Sequence, residues 1–331
     1  MQIWVAFAVA LFAVPALAQQ DARDMPAGVT ERELTLGKGQ WAIPAIVTLP
    51  LSRKTVPAVV LLHGFGPGSV DADVGPNKIF RETAWNLARR GVASMRFEKR
   101  TSAHARLFRE RGAHATVAEE WLDDALAAVA TLRRQPEVDP RRIFVAGHSA
   151  SAALAPRIAL ETAAAGAILV SGGSSSFQSP GAMIRDQANY VASLSPDNQV
   201  AVDEAHKVAL EARRLDDPLE SRDSVVLGHP LWYWRQLSSF DPVADIRMLT
   251  RKRRPVLIVQ GGRDYLVGPV QWRGWEATLG SNPAVTRRLL PNLNHMMQPG
   301  TGKMRPEEYG ERRPIAPAFT DLVAHWVLRG K

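Results

Sequence analysis

Ser149, Asp264 and His295 are the residues of this chain whose types and placement could carry covalent chemistry. Ser149 is the centre of Gly147-His148-Ser149-Ala150-Ser151, directly after the apolar run Ile143-Phe144-Val145-Ala146 and before an alanine-rich, helix-forming stretch. A strand that turns sharply into a helix lifts a hydroxyl above the sheet edge and sets it at a helix N-terminus, the context in which a G-x-S-x-G pattern has meaning. Ser151 stands where the last glycine of that pattern would be, so a slightly wider turn is expected. A serine hydroxyl is a weak nucleophile and needs a base, an orienting acid and an oxyanion hole. Asp264 follows the apolar run Val256–Val259 and His295 follows Val285–Leu290. Each thus falls just past the carboxyl end of an expected strand, which makes Asp264 the candidate acid and His295 the candidate base.

The expected oxyanion donors are the backbone N–H groups of Ala150, next to the serine, and of Phe65. Phe65 lies in His63-Gly64-Phe65-Gly66-Pro67-Gly68, where glycines after a strand let the backbone approach a substrate carbonyl. Trp232, Tyr233 and Trp234 either line an apolar acyl pocket or anchor the segment that carries them. His148 is expected to pack locally, His63 to support the glycine loop, and Arg96, Glu98 and Arg100 to form a structural charge network. The other histidines lack ligand spacing, so no metal and no cofactor are expected.

These residues need elements to position them. A hairpin over Glu31–Leu36 and Trp41–Leu49 opens the pattern, and strands then alternate with helices. Strands are predicted at Ala58–Leu62, Val92–Phe97, Ile143–Ala146, Ala167–Val170, Val256–Val259 and Val285–Leu290. Helices are predicted at Phe80–Arg90, from the Thr116-x-x-Glu119 capping box to Arg134, at Ser149–Ala163, Val270–Leu279 and Ala318–Leu328. Fully apolar strands in such alternation imply an α/β fold with a mostly parallel central sheet and helices on both faces. The stretch 173–254 lacks strand patterns and reads as a helical lid inserted over the carboxyl ends of the strands.

At 331 residues with 46% hydrophobic content the chain can bury a full core. Residues 1–18 read as a secretory signal: an apolar run Ile3–Val14, then Ala16-x-Ala18 before Gln19. The mature 19–331 domain is therefore expected to be exported, to the periplasm or beyond, with no stable membrane insertion after cleavage. The absence of cysteine excludes thiol chemistry. The net charge of +8 is not matched by aromatic interleaving, so no nucleic-acid partner is expected, and Arg251–Arg254 reads as a solvated loop. Oligomeric state is left open.

Taken together, the chain resembles the α/β-hydrolase superfamily, and within it bacterial serine carboxylesterases of the dienelactone-hydrolase-like or prolyl-oligopeptidase-like kind. The segments that carry the resemblance are His63–Pro67, Gly75–Lys78, Arg96–Arg100, Val138–Ile143, the serine turn, Gln260–Tyr265 and Leu293–His295. The order Ser149…Asp264…His295 is the one that superfamily uses. The resemblance implies nucleophile, acid and base roles for these three, a lid over the site, and cofactor-free hydrolysis of short- to medium-chain esters. Two alternatives stay open: a serine peptidase acting on short peptides, and a non-catalytic binder of small molecules on the same scaffold.

Overall fold

The computed structural model describes residues 25–329, apart from 53, 111–113, 176–178 and 281. The signal expected over 1–18 lies outside the described residues. Eight strands make one sheet: β1 (Val29–Leu36), β2 (Ile43–Pro50), β3 (Val56–Leu62), β4 (Ala93–Phe97), β5 (Val138–His148), β6 (Gly166–Val170), β7 (Val256–Gly261) and β8 (Val285–Leu290). Their order is β1-β2-β4-β3-β5-β6-β7-β8. β1 and β2 pair antiparallel, β2 meets β4 antiparallel, and every later pairing is parallel.

The apolar strands are explained by burial on both faces. Every residue of β3 is buried, and its side chains alternate between layers, as the period of two requires. Val60 and Leu62 join Trp121, Leu132, Leu154 and Ile158 in one core. Val59 and Leu61 join Ile79, Leu87, Phe319 and Trp326 in the other. The first layer contains α2 (Asp123–Leu132) and α3 (Ala150–Glu161); the second contains α1 (Ile79–Ala88) and, at the C-terminus, α9 (Pro317–Arg329). α8 (Pro269–Leu279) bridges β7 and β8 and buries Trp275 in the first layer.

The capping box expected at residue 116 forms, with Thr116 N–H donating to Glu119 Oε2 at 2.9 Å and Glu119 N–H to Thr116 Oγ1 at 3.2 Å. The helix it opens is not regular from its start. Ala118–Leu122 is wound as a π-turn, which buries both Glu120 and Trp121, before α2 begins.

Between β6 and β7 lie α4 (Pro180–Leu194), α5 (Gln199–Arg213), α6 (Leu231–Ser238) and α7 (Pro242–Arg251). Two dipeptides, Val225–Val226 and His229–Pro230, form a minimal antiparallel ladder within the stretch read as strand-free. Its last helix behaves differently from the rest: α7 packs on α3, and Asp245, fully buried, takes three hydrogen bonds of 2.9–3.1 Å from Arg157. α7 is thus a sheet-covering helix, and the helices that meet the loops at the strand ends belong to the part before it.

Candidate active site

The serine turn has the backbone that its sequence context requires. β5 ends at His148, and Ser149 has φ 58° and ψ −120° before α3 begins at Ala150. A non-glycine residue there is strained by about 1–3 kcal/mol. A hydrogen bond and two close glycines hold it in place. Ser149 N–H donates to Val170 O at 2.9 Å, continuing the β5–β6 ladder. A Cβ on Gly147 would sit 2.2 Å from Ser151 O, so only glycine fits at the first position. A Cβ on Gly64 would lie 2.8 Å from Ser149 Cβ, which shows how closely the glycine loop after β3 approaches the serine.

Ser151 does more than fill the place of a glycine. It is fully buried. Its hydroxyl lies 2.8 Å from Leu62 O and 3.1 Å from His148 O as donor, and accepts from His148 N–H at 3.0 Å. The side chain therefore ties the end of β3 to the turn.

On the other side, His295 Nδ1–H donates to Asp264 Oδ2 at 2.8 Å, and both residues are buried. The carboxylate is held from every direction. Oδ2 also accepts from Gln260 Nε2 at 2.7 Å, while Oδ1 accepts from Leu266 N–H at 2.9 Å and Val267 N–H at 3.0 Å. Such a carboxylate fixes both the tautomer and the orientation of the imidazole. The loop bearing His295 is closed by Asn294, whose Oδ1 accepts from the N–H groups of Met296 and Gln298 at 2.9 and 3.0 Å.

Serine and histidine halves meet at the end of β6. Val170 O holds Ser149, and Ser171 Oγ donates to His295 O at 2.8 Å. His148 Nε2–H donates to the same carbonyl at 2.9 Å, with its ring centroid 4.8 Å from that of His295. Desolvation and the neighbouring imidazole hold the His148 pKa down at about 3, so its ring is neutral and structural. Among the described hydrogen bonds none joins the Ser149 hydroxyl to the His295 ring; such bonds are often long in unliganded enzymes and tighten around the substrate.

The expected oxyanion donors are placed as follows. Ala150 is the first residue of α3, so its N–H has no partner within the helix. Phe65 directly follows Gly64, and its ring stacks on Trp234 (5.4 Å, 25°) and meets Trp121 edge-on (5.3 Å). Tyr233 is fully buried and its hydroxyl donates to Glu120; Trp234 Nε1–H donates to Val226 O at 2.9 Å. These are anchoring contacts, whereas Trp232 is only partly buried. Elsewhere α4 seats on the loop after Asp264, through Tyr190 stacked on Tyr265 (4.7 Å) and Gln187 Nε2 donating to Leu266 O at 2.7 Å.

The charge network expected from Arg96, Glu98 and Arg100 is divided. Arg96 bonds Glu31, Asp71 and Thr48 at 2.7–2.9 Å, and Arg100 bonds Asp123 and Asp124. Among the described contacts neither arginine bonds Glu98, whose carboxyl pKa is raised by desolvation. The residue between them, Lys99, faces inward instead and is 2% exposed. His63, whose pKa burial holds at about 4, bonds Phe97 O at 2.7 Å beneath the glycine loop. The structural positions of Lys99, Glu120 and Gln260 have no spacing signature in the sequence. Beneath the turn, on the α1 side, an apolar cavity of about 30 Å³ touches Phe80, His148 and Met297, too small for an acyl chain. No cluster of metal-binding side chains occurs among the described residues.

Comparison with known proteins follows the same lines. A model of the alpha/beta hydrolase family matches residues 59–308. The chain is 31% identical over 304 residues to Esterase EstD of Thermotoga maritima, covering 92% of this chain and 69% of that one. Among solved structures, an esterase of Pyrococcus furiosus superposes with a TM-score of 0.55 at 15% identity, over 95% of each chain. An acylaminoacyl peptidase of Pyrococcus horikoshii gives 0.51 at 14% identity, over 83% of this chain and 39% of that one. At these identities the two structures speak for the fold alone.

Proposed function

The chain belongs to the alpha/beta hydrolase family, and we propose that it is a serine carboxylesterase acting on short- to medium-chain esters. The observation that carries this reading is the buried Asp264–His295 bond of 2.8 Å, set beside a serine on a strained strand-to-helix turn. The 31% identity to an esterase supports the ester as substrate.

In this mechanism His295 Nε2 takes the Ser149 proton as Oγ attacks the ester carbonyl. The N–H groups of Ala150 and Phe65 stabilise the tetrahedral oxyanion, and Asp264 holds the imidazolium that forms. His295 returns the proton to the leaving alcohol. Water, deprotonated by the same imidazole, then cleaves the acyl-enzyme and regenerates Ser149. Removing one oxyanion donor from such a site costs about 3 kcal/mol of transition-state stabilisation.

Hydrolysis rates for p-nitrophenyl esters of rising acyl length, set against alanyl and prolyl anilides, test the reading. It expects ester turnover with a short- to medium-chain optimum and anilide turnover far below it. Anilide hydrolysis without ester hydrolysis would make the chain a peptidase, and inertness to both would make it a binder. Export is part of the proposal, and N-terminal sequencing of the mature protein checks it: Gln19 is expected as the first residue, and retained Met1 would refute cleavage.

A further inference from the structure

Lys99 is a charged side chain almost wholly removed from water, at 2% exposure, beside a glycine loop. Burying an ammonium is costly unless each of its protons is bonded. Here all three are: Nζ donates to Gly64 O at 3.1 Å, to Gly66 O at 3.0 Å and to a carboxylate oxygen of Glu120. The ammonium also lies 4.7 Å from the centre of the Trp121 ring. The second Glu120 oxygen accepts from the Tyr233 hydroxyl, which burial and the carboxylate keep protonated. Residues 99–102 grip the loop further on, with Lys99 N–H donating to Gly68 O at 2.8 Å and Gly68 N–H to Ser102 Oγ at 2.8 Å.

The two carbonyls that Nζ holds flank Phe65. In a trans peptide the C=O and the following N–H point in opposite directions. With Gly64 O drawn onto Lys99, the Phe65 N–H of that same peptide must face away from Lys99. A flipped 64–65 peptide would aim a carbonyl oxygen where the N–H now points, opposing an oxyanion instead of stabilising it. The ammonium is what makes that flip costly.

We infer that Lys99 is a positioning residue for the oxyanion hole, and that the chain Tyr233–Glu120–Lys99 couples the seat of α6 to the orientation of the Phe65 N–H. This rests on the esterase reading above. The π-turn at Ala118–Leu122 is the element that buries Glu120 between the two.

The test uses the Lys99→Met/Glu120→Leu double variant, because removing one charge alone would leave the other buried and unpaired. Tyr233→Phe is the milder companion, deleting one hydroxyl. The readouts are kcat and KM on p-nitrophenyl acetate, and the inhibition constant of a phenylboronic acid, which forms a tetrahedral anion on the serine. The double variant is expected to lose about 100-fold in kcat with KM nearly unchanged, and to bind the boronate weaker by a similar factor. Tyr233→Phe is expected to show the same pattern, smaller. If the double variant does not fold, Tyr233→Phe alone decides. A lower melting temperature with kcat and boronate affinity both intact would assign Lys99 a purely structural role and overturn the inference. Wild-type protein that hydrolyses no ester would overturn the esterase reading instead, so the two failures are distinguishable.

Discussion

At the scale of single residues, the site combines side chains that the sequence displays with others that it conceals. Ser149, Asp264 and His295 could be found because each follows an apolar run, and the structure brings His295 and Asp264 into direct contact at 2.8 Å. Gln260 and Lys99 also lie just past apolar runs, but their importance, like that of Glu120, comes from what they touch across the fold, which no local spacing displays. Ser151 shows the same limit from the other direction. Read as a departure from a glycine pattern, it is in fact a buried hydroxyl that bonds Leu62 O and His148 N–H. Ser151→Ala removes these buried hydrogen bonds to the amide and the carbonyl, which costs about 1–3 kcal/mol. Denaturant titration should find this loss, with the hydrolytic rate reduced far less than in any variant of Ser149. An unchanged midpoint would show that the turn does not depend on the hydroxyl.

At the scale of elements, the sequence patterns located every strand of the sheet: the central strands, buried on both faces, leave apolar runs, while the edge strands β1 and β8 are only partly buried and mix apolar with polar residues. The ends of elements were less legible. β5 extends back to Val138, through a bulge opposite Val56, where the sequence Asp139-Pro140-Arg141-Arg142 gives no apolar signal. The lid stretch was visible as a break in rhythm, but the assignment of α7 to the sheet-covering layer depends on Asp245 meeting Arg157, a contact 88 residues apart. Trp234 helps to seat α6: it is 3% exposed, stacked on Phe65 and bonded to Val226 O. Trp234→Ala should therefore cost about 3–5 kcal/mol, as large-to-small changes of buried aromatics do. Trp232→Ala, at a half-buried ring, should cost clearly less. Melting of the two variants side by side checks this; equal losses would mean that α6 is not anchored by the inner face.

At the scale of the whole molecule, three imidazoles are kept neutral by burial: His63 and His229 near pKa 4 and His148 near 3, against an ordinary 6.5. Between those values the unfolded chain binds protons that the folded chain refuses, so stability falls as pH drops through the window from about 6.5 to 4. Each histidine contributes up to about 1.4 kcal/mol per pH unit there. Carboxylates held low by arginine, such as Glu31 and Glu308, add to the loss only below about 4.5. Denaturation midpoints should decline steadily from pH 7 to 5, and a flat profile would contradict neutral burial of these rings. No helix among the described residues is long and apolar enough to cross a membrane. The molecule as described is a sheet whose carboxyl ends gather one serine, one oriented imidazole and one clamped glycine loop. The most direct test of that account is covalent labelling with a fluorophosphonate, followed by mass spectrometry of the intact protein and its peptides. One adduct per chain is predicted, on Ser149, with ester hydrolysis lost in step and absent from Ser149→Ala. An adduct on another residue, or a Ser149→Ala variant that still turns over esters, would contradict it.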